Sequence, residues 1–266
     1  MNQQKTPSAS TLLAQFLPDA FDADTSLVQM SPTVARQLRA AGLLSDNAAF
    51  RYRWATWNDE RNDRVSWQGE QLTVAQLCFT WMTGVSPDHK SDIWLVGASG
   101  MGKDHLATVM AVALAIRWEW TALRCDWMVL TEELKPNNGA STTLQSYKAA
   151  DVLIVSDPDQ PDQTLFKSKK LGELVRARQD RVIIWTANTP LRTFCQRIRT
   201  SCRRDERRDY NGVGTMLAVK MEEAAATIES RLLGRVEMEV PFHSQHGDWR
   251  KTQYERRVEN ALQHRG

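Results

Sequence analysis

Between Asp92 and Trp120 the chain reads DIWLVGASGMGKDHLATVMAVALAIRWEW: an apolar run, a glycine-rich turn closing on a lysine, and an apolar helical stretch. Gly97 and Gly102 stand at the two framework positions of a G-x-x-x-x-G-K pattern, with Gly100 between them and Lys103 at its end. This pattern demands a strand before the loop and a helix after it. Glycines let the backbone wrap with its N–H groups inward, the helix aims its positive N-terminal end at the same point, and the lysine adds a formal charge. The product is a cradle for the β and γ phosphates of ATP. Gly97, Ala98, Ser99, Gly100, Met101, Gly102, Lys103, Asp104 and His105 form the candidate nucleotide-contacting set.

Asp104 departs from the usual chemistry, because a hydroxyl normally follows the lysine and ligates Mg²⁺. A carboxylate there binds a metal directly, but it also sets a negative charge beside phosphates, at about 4 kcal/mol for unit charges 4 Å apart at an effective dielectric near 20. Metal-free nucleotide binding should therefore be weak. A second acid is expected at the end of another strand to hold Mg²⁺, with a further one to activate water. The run DVLIVSDPD supplies that strand, ending at Val155 and followed by Ser156 and Asp157. Either Ser156 and Asp157 fill the two acid places, leaving the metal acid missing, or the register shifts so that Asp157 serves the metal and Asp159 the water. The first register is favoured, and with it slow or absent hydrolysis. Asp104 and Asp157 are the candidate metal residues and Asp157 a candidate catalytic one. The strand Val182 to Trp185 leads to Asn188, placed to orient water or sense the γ phosphate, although Asn-Thr-Pro is also an ordinary turn.

Around this centre, short apolar runs alternate with helical patterns, as a parallel sheet covered on both faces requires. The expected fold is α/β, a P-loop core with a small helical N-terminal module. Residues 1–46 form that module, with Ser31-Pro32 opening a helix; it is too small to hold a core of its own, so it docks on a partner or packs back on the main domain. Residues 47–90 form a linker and an amphipathic helix capped by Thr73, and 91–266 the nucleotide-binding core. The segment 51–71 interleaves Arg with Trp54, Trp57 and Trp67, which suits either base stacking or amphipathic packing.

Composition sets the outer limits. The apolar fraction of 42% supports one substantial core, and a net charge of +2 gives no global argument for nucleic acid. Four scattered cysteines without a C-x-x-C pair argue against zinc and a disulfide framework. The opening MNQQKTPSAS has no basic-then-apolar pattern, and no apolar run is long enough to span a bilayer. The expectation is a cytoplasmic protein without membrane contact.

The order of motifs resembles the AAA+ ATPases of the DnaC-type helicase loaders and the related IstB-type transposition ATPases. The matching stretches are Gly102-Lys103-Asp104-His105-Leu106-Ala107, the helix leading to Thr83, the strand Asp151 to Asp157, Asn188, Ile228-Glu229-Ser230-Arg231-Leu232 and Gly247-Asp248-Trp249-Arg250. The resemblance implies an AAA+ core in which Lys103 binds phosphates, Asp104 lies near the metal, Asn188 is a sensor and Arg231 is an arginine finger reaching a neighbouring subunit's nucleotide; Arg250 is a weaker sensor candidate. It further implies ATP and Mg²⁺, a homo-oligomer in a ring or helix, a replicative DNA helicase as partner and single-stranded DNA nearby. Ser156 departs from the Asp-Glu pair that the resemblance leads one to expect, which bears on turnover. Two alternatives stay open: an IstB-type transposition regulator on duplex DNA, and a non-hydrolysing adaptor.

The densest cationic run is Arg197, Arg199, Arg203, Arg204, Arg207 and Arg208, broken by Asp205, Glu206 and Asp209. Such a run neutralises phosphates along a single strand with a steep salt dependence, or else forms internal ion pairs on a solvated surface. Nucleic-acid contact is the functional expectation for it.

Overall fold

The computed structural model describes residues 9–18, 21–22, 27–44, 64–134, 142–160, 164–208 and 214–242. In chain order these form α1 (Ala9–Phe16), a two-stranded ribbon of β1 (Phe21–Asp22) and β2 (Leu27–Val28), α2 (Pro32–Ala40), a hairpin of β3 (Arg64–Trp67) and β4 (Glu70–Thr73), α3 (Val74–Gly84) and β5 (Asp92–Gly97). Then come α4 (Lys103–Trp118), β6 (Ala122–Asp126), α5 (Trp127–Glu133), α6 (Thr142–Ala149), β7 (Val152–Ser156), α7 (Leu165–Ala177), β8 (Val182–Ala187), α8 (Leu191–Arg208), α9 (Gly214–Arg235) and β9 (Val236–Phe242).

Five of the strands make a parallel sheet in the order β6-β7-β8-β5-β9. The central strands DIWLVG, VLIVS and VIIWTA are apolar nearly throughout because helices cover both of their faces. Alternate residues accordingly enter two cores. Ile93, Leu95, Ile154 and Ile184 pack with α1 to α4 on one face. Trp94, Val96, Leu153, Val155 and Trp185 pack on the other with residues of α7 to α9 such as Leu174, Phe194 and Leu232. Strand β9, at the edge, buries only Met238, Val240 and Phe242 and reads as an alternating strand.

Thr73 caps α3 through a full capping box with Gln76. Helix α4, the apolar stretch after the glycine loop, is enclosed: from Leu106 to Ala115 nearly every residue is buried. Its inner side meets the sheet, and α2 and α3 lie against it from outside. The described part of residues 1–46 therefore lies on the core rather than apart from it. Leu12, Leu13, Phe16, Val34 and Leu38 join the same apolar cluster as α4, Phe16 meets Phe79 of α3 edge-on at 6.4 Å, and Arg117 at the end of α4 donates to the Phe16 carbonyl at 2.7 Å. Helix α8 carries the arginine-rich stretch in helical form to Arg208. Gly247, Asp248, Trp249 and Arg250, together with Trp54 and Trp57, lie outside the described residues. Among the described residues no helix is long and apolar enough to cross a membrane.

Candidate functional site

The turn from β5 into α4 has the backbone that its glycines permit. Gly100 and Gly102 sit at φ of 81° and 89°, in the left-handed region, and Gly102 hands the chain directly to the first turn of α4. Gly97 is required for a different reason: a Cβ there would stand 2.6 Å from the Phe242 carbonyl oxygen of the adjoining strand β9. Ser99, Gly100, Gly102, Lys103, Asp104 and His105, with Asp157 and Asn188, line a cavity of ≈ 220 Å³ at the carboxyl ends of the strands. Ala98 and Met101 belong to the same turn without lining that cavity.

Lys103 is bent back into the loop. Its Nζ donates to the carbonyls of Gly97 at 2.7 Å and Ala98 at 2.9 Å, and to Asn188 Oδ1 at 3.3 Å. The loop lysine and the residue beyond β8 thus touch across the cavity. Asn188 is itself held on two sides. Its backbone N–H donates to Asp159 Oδ2, and its Nδ2 donates to Asp157 Oδ1. The neighbouring Thr189 is pinned by its hydroxyl to Asp159 and by its carbonyl to the Trp94 indole N–H.

Strand β7 ends on Ser156, whose partner across the ladder is Thr186. Asp157 follows at φ 51°, a left-handed conformation that aspartate tolerates better than most side chains, and its N–H continues the ladder to the Thr186 carbonyl. Burial first, then the negative charge of Asp104, raises the Asp157 carboxyl above its ordinary value, against the opposing effect of Lys103. Asp159 is placed differently. It is buried, faces the Asn188–Thr189 turn and supports that turn instead of lining the cavity.

Asp104 projects from α4 toward the strand ends. Its Oδ1 accepts from Thr186 Oγ1 at 2.6 Å and from Ser156 Oγ at 3.2 Å, and its Oδ2 pairs with Arg124 of β6 at 3.1 Å. Mg²⁺ characteristically takes one or two carboxylates together with substrate phosphates rather than a protein cage. Asp104 and Asp157 beside a lysine-bearing phosphate loop are such a donor set, and among the described residues no group of three or more acids, histidines or cysteines forms a cage. The residues present fit the metal.

The remaining sequence candidates are dispersed. Arg231 is on α9, partly exposed. Of the arginine run, Arg197 donates to the Asp159 carbonyl at 3.3 Å and Arg199 pairs with Glu229 of α9. These two are engaged within the fold. The side chains of Arg203, Arg204, Arg207 and Arg208 lie outside the described residues. Sequence reasoning missed Arg124 and Thr186, whose only signal is their place near the carboxyl ends of strands flanking β7, and gave Asp159 and Trp94 no supporting role.

A glycine loop of this shape feeding a helix, a lysine folded into it and a polar residue beyond the adjacent strand define a P-loop nucleotide-binding protein on a parallel sheet. Residues 70–201, just under half of the chain, match the model of the family described as IstB-like ATP binding protein. The likeness to that family is confined to this stretch. No curated protein gives a significant sequence match. Among solved structures, similarity extends to a DnaI structure at 18% identity (TM-score 0.47, 65% of this chain and 81% of that one) and to a DnaC helicase loader at 17% identity (0.45, 64% and 88%). It extends also to a DnaA replication initiator bound to AMPPCP and single-stranded DNA, at 13% identity (0.43, 64% and 46%).

Proposed function

We propose that the chain is an ATP-state switch in DNA replication of the helicase-loader type, which binds ATP with Mg²⁺ at the Lys103 loop, turns it over slowly or not at all, and in an ATP-dependent homo-oligomer delivers a replicative helicase to single-stranded DNA. The observation that carries the switch is the contact between Lys103 Nζ and Asn188 Oδ1. A γ phosphate entering the loop competes for that ammonium group, so the Asn188–Thr189 turn is tied directly to what occupies the cradle. Through Asp159, Trp94 and Arg197 the turn is tied in its turn to β5 and α8.

In this reading the N–H groups of the loop and Lys103 bind the β and γ phosphates, and Asp104 and Asp157 hold Mg²⁺. The metal supplies neutralisation of charge on the phosphates. In this reading Asp157 also takes a proton from the attacking water, and its raised pKa makes it a stronger base that is less fully ionised at low pH. Arg231 acts on the neighbouring subunit's nucleotide, where a cation supplied in trans stabilises developing charge. Residues 1–46 carry the contact with the helicase, and the run from Arg197 to Arg208 faces DNA through those arginines not already engaged by the fold. A second reading, an ATP-dependent regulator of the IstB type on duplex DNA, draws on the description of the matched family.

Titration of fluorescent ATP and ADP, together with phosphate release, tests the proposal. Lys103→Ala is expected to weaken ATP binding by roughly thirtyfold, about 2 kcal/mol, the scale of a hydrogen bond to a charged group. Pull-down of a replicative helicase with ATP and single-stranded DNA supports the loader; duplex binding without helicase capture favours the second reading. Partner capture and assembly indifferent to Lys103→Ala would leave a nucleotide-independent adaptor.

A further inference from the structure

In a P-loop site the hydroxyl that ligates Mg²⁺ follows the loop lysine, and the acid that holds the metal ends a neighbouring strand. Here both positions are altered, and the two altered side chains touch. Asp104 follows Lys103, Ser156 ends β7, and Ser156 Oγ donates to Asp104 Oδ1 at 3.2 Å. We infer that the metal-facing acid and hydroxyl have exchanged places: α4 supplies the carboxylate through Asp104, β7 supplies the hydroxyl through Ser156, and the site keeps its complement of groups. This rests on the nucleotide-binding reading above.

Several observations support exchange over two separate losses. A carboxylate at position 156 would press against Asp104 within hydrogen-bond distance, two like charges in a buried strand end, whereas a hydroxyl donates there. Ser156 is thus the residue that Asp104 requires. The first turn of α4 favours a negative charge because the helix dipole presents its positive end there. Thr186 Oγ1 fixes the same Oδ1 at 2.6 Å, so two hydroxyls orient the carboxylate by one oxygen. Its other oxygen already attracts a cation, Arg124, in a pair whose side chains are 39% and 41% exposed. A pair that accessible is weak and gives way to a divalent ion. A serine hydroxyl that donates its proton to a carboxylate keeps lone pairs for a metal.

The test is a reciprocal swap on the full chain, with fluorescent ATP titrated in Mg²⁺ and in EDTA. For wild type, Mg²⁺ is expected to tighten ATP binding. D104T should lose about tenfold or more of that gain, the scale on which residues supporting a metal site act, while affinity in EDTA holds or improves. The double variant D104T/S156D, which restores the ordinary arrangement, should recover most of the gain; such non-additivity marks two residues acting as one unit. Retention of the Mg²⁺ gain by D104T, or a double variant no better than D104T, would overturn the exchange. Should the double variant melt early, the isosteric D104N decides on the same criterion. ATP bound equally with and without Mg²⁺ sinks the exchange and leaves the phosphate cradle standing, whereas no ATP binding under either condition sinks both.

Discussion

Strand β5 begins and ends beside charge, and the fold treats its two ends in opposite ways. At its start Asp92 is fully buried, and its carboxylate accepts from Arg235 Nη2 at 2.7 Å and Nε at 3.0 Å, from the Ile183 N–H and, at 3.4 Å, from the Trp185 indole. Arg235 continues to the carbonyls of Arg178 and Arg181, and Arg178, itself buried, donates to the carbonyls of Tyr147, Ala150, Asp151 and Val182. This network clasps α9, β8 and the start of β7, and the Asp92 side chain is fully buried within it. At the far end Lys103, Asn188 and Asp157 bond in series, and Asp104 bonds to Thr186, Ser156 and Arg124, but these groups stand around an open space. A perturbed carboxylate is therefore no sign of function by itself. Burial raises both Asp92 and Asp157, but Asp92 is fully enclosed whereas Asp157 lines an open cavity.

The largest expected effect is at the closed end. Arg235→Ala leaves Asp92 buried without its cation and should cost about 3–5 kcal/mol in urea unfolding, with ATP affinity of the folded protein unchanged. A loss below about 1 kcal/mol would break the comparison, since the closed network would then not be holding the strands. At the open end the ranking reverses. Thr186→Val removes one of the hydroxyls that orient Asp104 and should weaken Mg²⁺-dependent ATP binding by about 1 kcal/mol, roughly fivefold, with little change in unfolding beyond the cost of that hydrogen bond.

The smallest effect sharpens the contrast by pH. Asp157 has a folded-state pKa above its ordinary 3.8, so the nucleotide-free protein binds that proton more tightly than the unfolded chain does. Stability is lost as pH rises from the ordinary value through the folded one, and the loss persists at neutral pH. Asp157→Asn should therefore match wild type in strongly acidic solution and exceed it at neutral pH by under about 1 kcal/mol, because the carboxylate is partly solvated. Thermal melts across pH check the sign; an Asn variant less stable at pH 7 would mean that Asp157 is held as an anion.

How far the sequence discloses this depends on whether a feature is local. The loop glycines, Lys103, the cap at Thr73 and the apolar strands from Asp92, Val152 and Val182 announce themselves within a few residues, since turn geometry and burial on two faces act at that range. The contact of Asp104 with Ser156 and Thr186 spans 52 and 82 residues of chain. Each departure taken singly looks like a defect; only the sheet order, which sets β7 and β8 beside the helix, shows that they meet. The all-round burial of α4 is similarly invisible to a periodicity argument, because it depends on α2 and α3 returning to cover it. Helix α8 makes a comparable distant contact: Arg199 pairs with Glu229 of α9, a partner that lies in a distant part of the chain.

The hydrogen bond between Ser156 and Asp104 also constrains how such a site arises. Starting from the ordinary arrangement, a chain that changes one residue at a time passes either through a form with two carboxylates in contact or through one with two hydroxyls and no acid. The first repels itself, and the second keeps only Asp157 of the two carboxylates proposed for the metal. Under the proposed exchange both intermediates hold the metal less well, so a change at either position favours a compensating change at the other.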